Sequence, residues 1–194
     1  MHPVLQEYEA RVDDICGTMV RLCVALPSQR KALRKLVEYH ALPLESTLTT
    51  VTFGDAPAPP VHTATFAQHI QSLEEEGHDE ALVGNVCTSF IYSLWEDVYR
   101  PALAKGRGVE KNLIRSEFFR QLGTYRHSIV HNQAIGTSKT SALTLLPAVP
   151  KGAPLRVTRH VFESMVSKVK AELHVIVSGE VALYLPKDNK NDEV

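Results

Sequence analysis

The sequence predicts an all-α protein: a mostly antiparallel helical bundle with a small β-hairpin before its last helix. Three observations carry that expectation. Apolar residues recur at three- and four-residue steps along most of the chain. Ser, Thr and Asp stand where helices would begin, and Gly or Pro where they would stop. Strand-like runs are confined to a few short stretches.

The elements follow in order. Val4, Leu5, Tyr8, Val12, Ile15, Met19, Leu22 and Leu26 give a helix over residues 3–26. Pro27 closes it, and Ser28 caps a second helix to His40, with Leu33, Leu36 and Val37 inward. The stretch LESTLTTVTFGDAPAPPV has no helical period. Its β-branched part suits a short strand, and GDAPAPP a stiff connector. A short helix over 64–76 stops at Gly77, and Asp79 caps the most apolar helix. There Val83, Val86, Cys87, Phe90, Ile91, Leu94 and Val98 form a wide inward stripe, and Pro101 kinks or ends the helix. KGRG, from Lys105 to Gly108, is a basic turn. The next helix is predicted over 109–131, with Ile114, Phe118, Leu122, Tyr125 and Ile129 inward. ALTLL and PLRV, separated by PAVPKGA, read as the hairpin. Thr158 caps the last helix, which turns Val161, Phe162, Met165, Val166, Val169, Leu173 and Ile176 inward. The predicted organisation is an extension and connector over 1–62, a helical domain over 63–182 and a disordered polar tail over 183–194.

Composition narrows the function classes. The 194 residues are 44% hydrophobic and 22% charged, with a net charge of −1. That is a globular composition, and no global field marks a polyanion binder. Contact with nucleic acid would need a local basic patch. Cys16, Cys23 and Cys87 form neither a disulfide framework nor a CxxC pair, so buried free thiols are expected. The opening MHPVLQEYEARVDD is too charged for a signal peptide. No apolar run approaches the ~18 residues of a membrane span. A reducing, cytoplasmic setting without membrane contact is the expectation.

One stretch concentrates chemistry. TYRHSIVHNQ, Thr124 to Gln133, holds Arg126, His127, His131 and Asn132 within seven positions. Residues four apart on a helix differ by about 40°, so His127 and His131 share a face, which continues back through Thr124 and Arg120. Arg126 lies off that line. Asn132 suits a left-handed helix end. Three readings compete. Histidines near a helix C-terminus interact well with the dipole and need no function. His-x-x-x-His also resembles half a zinc site, but Ser128 stands where zinc hydrolases carry a glutamate, and no third ligand is flagged by spacing. The third reading is RNA cleavage. It needs a base for the ribose 2′-OH, an acid for the departing 5′-oxygen and a fixed cation for the phosphate. Histidine and arginine suit those roles.

RHSIVHN resembles the Arg-x4-6-His motif of HEPN domains (higher eukaryotes and prokaryotes nucleotide-binding), with Arg126 and His131 as its two ends. His127 stands where the family often has Asn, Asp or His, and Ile129, Val130 and Asn132 also fit. The motif ends a long helix, follows the helix carrying YSLWEDVYRPAL and precedes a closing helix, an order similar to a HEPN four-helix core over about residues 80–180. The resemblance implies a metal-independent endoribonuclease of a toxin–antitoxin or antiviral defence system. It implies a homodimer with two motifs facing across one cleft, RNA as substrate, no cofactor, and an antitoxin or other defence protein as a further partner. Arg126 would hold the scissile phosphate, His131 act as acid or base, and His127 orient it or contact substrate. The alternatives are a catalytically silent HEPN-like module that binds nucleotide, RNA or a protein, and a plain dimeric scaffold.

Further candidates surround the motif. Glu96 would orient His131 or Arg126, or else pair with Arg100 at i, i+4. Lys105, Arg107, Lys111, Arg115 and Arg120 would steer phosphate, or else form a solvated surface. Tyr125 and Asn132 complete the supporting or substrate-binding set, and no residue is assigned to a metal. Trp95 is expected in the core or at a dimer interface.

Overall fold

The computed structural model describes residues 2–50 and 62–178. The fold is mostly α-helical, with one small antiparallel sheet among the described residues. The elements are α1 (Pro3–Tyr39), β1 (Thr47–Thr50), β2 (His62–Thr65), α2 (Phe66–Ser72), α3 (His78–Leu94), a π-helical turn (Trp95–Tyr99), α4 (Arg100–Arg107), a 3-10 turn (Lys111–Leu113), α5 (Glu117–His131), α6 (Ser138–Ser141) and α7 (Arg159–Ser178). No helix among these residues is long and apolar enough to cross a membrane.

The fold class agrees with the sequence, while several boundaries move. The helix predicted to stop at Pro27 continues through it, so α1 is one 37-residue helix. Pro27 lacks the N–H that would reach back to the Cys23 carbonyl, and it stands at an exposed position of the helix. Ser28, predicted as a cap, is an exposed residue within the helix. The short strand expected in LESTLTT is β1. Its partner β2 comes from the start of the segment read as helix 64–76, with Thr47 opposite Thr65 and Thr50 opposite His62. Thr65 then caps α2 in a box: its side chain accepts from the Gln68 N–H while Gln68 accepts from the Thr65 N–H.

The hairpin predicted from ALTLL and PLRV does not form. Residues 142–158 are loop, joined to the chain after α5 by one bridge between Ile135 and Pro154. The backbone donors of both segments are engaged elsewhere: the Thr144 and Leu145 N–H groups on Gln121 Oε1, and the Leu155 N–H on the Ala134 carbonyl. The one small sheet among the described residues is β1–β2 instead. The connector GDAPAPP and the tail PKDNKNDEV lie outside the described residues.

Pro101 does not end the helical run. It sits in the first turn of α4, directly after the π-helical turn, in which the Arg100 N–H reaches back to the Trp95 carbonyl. The wider turn absorbs the donor that Pro101 lacks. KGR is the last turn of α4 rather than a free turn, and Gly108 closes it at φ +66. The motif helix begins later than predicted, at Glu117, because Ser116 caps it through the Phe119 N–H at 3.1 Å. Arg115 therefore lies before α5, not on it. The last helix begins directly after Thr158, as predicted, and buries Phe162, Met165, Val166, Val169, Leu173 and Ile176.

The described residues divide into two compact units. One contains residues 2–14, 88–155 and 164–178, and the other 15–50, 62–87 and 156–163. The first unit is centred on aromatic rings. Trp95 stacks on Phe119 with centroids 4.1 Å apart and planes at 10°. Tyr8 packs against both at 5.7 and 6.1 Å, and its hydroxyl donates to the Ile91 carbonyl at 3.0 Å. Trp95 is thus a core residue.

In the second unit Glu80, 7% exposed, accepts from the Glu76 and Arg159 N–H groups. Asn85 accepts from the Val157 N–H at 3.1 Å. Gly84 lies so close to the Val157 carbonyl that a Cβ there would sit 1.8 Å from its oxygen. Several residues of the predicted stripes stay exposed: Leu22, Leu36, Val86, Phe90 and Val98. Cys16, Cys23 and Cys87 are free thiols, with Cys23 buried.

Candidate active site

Helix α5 sorts its side chains by chemistry. Phe118, Phe119, Leu122, Tyr125 and Ser128 are buried, and this leaves Arg120, His127 and His131 exposed, with Arg126 half-buried. The helix ends inside the motif. The Ser128 carbonyl accepts from the N–H groups of Asn132 and Ala134 at 3.1 and 3.0 Å. The fully buried Ser128 hydroxyl donates to the Ile135 carbonyl at 2.5 Å. Beyond the turn, Leu155 N–H donates to the Ala134 carbonyl at 2.6 Å, which pins the chain after α5 to the 152–155 loop. His131, the last residue of α5, therefore stands on an anchored support.

The left-handed turn comes one residue later than the sequence suggests. Asn132 has φ −123, while Gln133 and Ala134 take φ +53 and +57. Neither has glycine's freedom, and left-handed residues cost about 1–2 kcal/mol each. The bonds from Ser128 and Leu155 hold them there.

Three of the predicted site residues come together. Arg126 Nη1 lies 3.2 Å from His131 Nε2. The His127 and His131 rings are 4.9 Å apart, with planes at 44°. Arg126 is off the histidine line on the helix, as the spacing requires, but its long side chain spans the gap. A guanidinium only donates, so Nε2 of His131 is the acceptor and Nδ1 carries the ring hydrogen in this pairing. The cluster thus presents a guanidinium and an imidazole in contact.

Other predicted residues serve elsewhere. Glu96 forms the i, i+4 pair with Arg100 foreseen as its alternative role. It pairs with Arg100 and Lys111, each at 2.7 Å. Burial pushes its carboxyl up, but the bonds from Lys111 and Arg100 outweigh this and leave it below its ordinary value. Tyr125 is core, not substrate-binding: it is 2% exposed and its hydroxyl donates to the Pro147 carbonyl. Burial pushes it up to about 12. Asn132 supplies the backbone of the helix end and is half-buried. Arg120 is exposed and paired with Glu117. Bonds from Arg120 and Gln121 hold the Glu117 carboxyl down at about 2. Arg107 is spent on the Ile176 carbonyl at 2.7 Å.

A groove of about 630 Å³ opens beside the cluster and includes His127 in its wall. Tyr92 and Gly123 line it together, and a Cβ at Gly123 would meet the Tyr92 hydroxyl at 2.7 Å. Burial raises the Tyr92 hydroxyl, Glu96 adds to this, and Arg100 and Arg126 oppose it. Lys139 and Thr137, from the segment after the motif, also line the groove. Sequence reasoning missed Ser128, Tyr92 and Lys139. Only Gly123, a glycine inside a helix, signalled a close approach there. Among the described residues no group of three or more His, Cys, Asp or Glu side chains could hold a metal ion.

No family model, curated protein or solved structure matches this chain.

Proposed function

We propose that this chain is a metal-independent endoribonuclease of the HEPN type, cleaving single-stranded RNA at a site shared by two copies of the chain. The contact between Arg126 Nη1 and His131 Nε2, 3.2 Å, carries the reading. It sets a phosphate-binding fork beside an imidazole nitrogen able to take a proton. In the reaction a base removes the 2′-OH proton and the 2′-oxygen attacks the adjacent phosphorus. The 5′-oxygen leaves with a proton from an acid, and a 2′,3′-cyclic phosphate remains. Arg126 would balance the charge gathering on the phosphate oxygens. One cluster offers His131 for one proton transfer; a second copy of the motif supplies the partner for the other. His127, beside His131, would position it or contact the substrate. The resemblance places such an enzyme in toxin–antitoxin or antiviral defence.

Purified His131→Ala and Arg126→Ala proteins should lose cleavage of a single-stranded RNA by ~10²–10⁴-fold. Both side chains lie outside the core, so far-UV circular dichroism and Tm should stay at wild-type values. Cleavage should survive EDTA. Full activity in His131→Ala would discard the assignment, and loss in EDTA restored by zinc or magnesium would favour a metal site. A tandem-purified dimer with one wild-type and one His131→Ala chain tests sharing. A common cleft predicts a loss of at least ~10²-fold. Activity near half of wild type would mean that each chain works alone.

A further inference from the structure

The groove beside the cluster has a charge pattern that the motif does not explain. Three of the cations around it are held in ion pairs: Arg100 and Lys111 share Glu96, and Arg120 has Glu117. Arg115 and Lys139 line the groove with no carboxylate partner among the described residues. Both stand on fixed backbone. Arg115 Nε donates to the Asn112 carbonyl at 2.9 Å, which leaves the outer guanidinium nitrogens available. Lys139 sits in α6, where Thr137 and Thr140 cap each other and the Thr140 hydroxyl reaches the Val149 carbonyl at 2.9 Å. The two carboxylates of the groove, Glu96 and Glu117, are already paired, so the unpaired charge there is positive.

Length decides between a mononucleotide and a strand. From His127 back to Ser116, both in the wall, α5 rises eleven residues, about 16 Å at 1.5 Å each. That is longer than one nucleotide. We infer that an RNA strand leaves the Arg126–His131 cluster along α5 through this groove, with Arg115 and Lys139 holding phosphates that flank the scissile one. The identity of the polyanion as RNA rests on the nuclease reading above. Tyr92, half-buried against Gly123, offers a ring on the same path. The basic residues expected from sequence to steer phosphate are thereby divided: Arg107, Lys111 and Arg120 have structural partners, Lys105 is exposed in the last turn of α4 and does not line the groove, and Arg115 is joined by Lys139, which lies outside the motif.

The test is salt-dependent binding of a fluorescein-labelled single-stranded RNA 12-mer, read by anisotropy on the full chain carrying His131→Ala to stop cleavage. Arg115→Ala/Lys139→Ala in that background is compared with Lys31→Ala/Lys35→Ala, which removes the same charge from exposed positions on α1. Each lost phosphate contact lowers the log–log salt slope by about 0.7 for a single strand, so two lower it by about 1.4. Between 50 and 200 mM salt the groove variant should therefore lose about sevenfold less affinity than its parent, while the control pair behaves like the parent. Equal slopes in all three proteins, an equal change in the control, or no binding by the parent would each overturn the inference. Cleavage by the wild-type chain is read separately. Groove-dependent binding without cleavage would sink the nuclease reading and keep the groove; cleavage with an unchanged slope would do the reverse.

Discussion

Replacing Glu96 by glutamine separates a structural carboxylate from a catalytic one. Its two oxygens bond Arg100 Nη1 and Lys111 Nζ, each at 2.7 Å, and its side chain keeps 24% of its exposure, against 19% for Arg100 and 44% for Lys111. At an effective dielectric of 20, unit charges 4 Å apart attract by about 4 kcal/mol, but desolvation and side-chain ordering offset most of this. Exposed pairs net roughly 0.2–1 kcal/mol, and breaking a fully buried pair costs about 3–5 kcal/mol. Glu96 is between these limits. Its amide replacement still accepts hydrogen bonds, so Glu96→Gln should cost about 1–2 kcal/mol at pH 7. For a chain of this size that is a fall in Tm of about 2–8 °C. The pH dependence has a definite sign. Burial raises the folded carboxyl, and the Lys111 and Arg100 bonds lower it by more, so it titrates below its ordinary value. Its stabilisation is complete above the unfolded carboxylate range near pH ~4.3 and is lost as the pH falls through the lower folded value. Wild-type and Glu96→Gln melting curves should therefore differ at pH 7 and converge in acid. The same Tm difference at both ends of the range would refute the ion-pair account. A loss of RNA cleavage far beyond the loss of stability would show that Glu96 acts on the motif after all.

Two further outcomes follow from the helix end and from the core. Ser128→Ala removes a fully buried hydroxyl from the Ile135 carbonyl and should cost about 1–3 kcal/mol in denaturant unfolding. It should also lower cleavage while leaving RNA binding unchanged, because it frees the turn that carries His131. Tyr125→Phe deletes only the bond to the Pro147 carbonyl, so a loss of about 1 kcal/mol without a change in cleavage per folded molecule is expected; reduced cleavage with intact folding would return Tyr125 to the site.

What the sequence disclosed, and what it hid, follows from the range of the interactions concerned. The close of α4 at Gly108, in the stretch read as a turn, is local chemistry decided within four residues, and the motif cluster is nearly so. Arg126 and His131 meet because a five-residue helical separation is within reach of an arginine side chain. The errors arise where a distant partner decides. Val86 and Phe90 are larger and more apolar than their neighbours, yet stay exposed on α3, while Ala81, Gly84, Asn85 and Thr88 are buried. Hydrophobicity selected the wrong edge of that helix. Gly84 has its place because the Val157 carbonyl comes too close for any Cβ, and Asn85 because it accepts from the Val157 N–H, 72 positions away. A small or polar residue facing a backbone makes a close contact that no periodicity of large apolar residues reports. Proline misled for a related reason. Pro27 and Pro101 each withhold one hydrogen bond, and a helix held by many others continues past the loss, as α-helix at Pro27 and by way of a π-helical turn before Pro101. The same logic applies at the candidate site. The motif and the Glu96–Arg100 pair were legible because their chemistry is local, whereas the Glu96–Lys111 pair and Lys139 were overlooked because they are set by contacts between elements. The residues that could turn a reactive cluster into a path for a strand are thus those that only the folded chain brings alongside it.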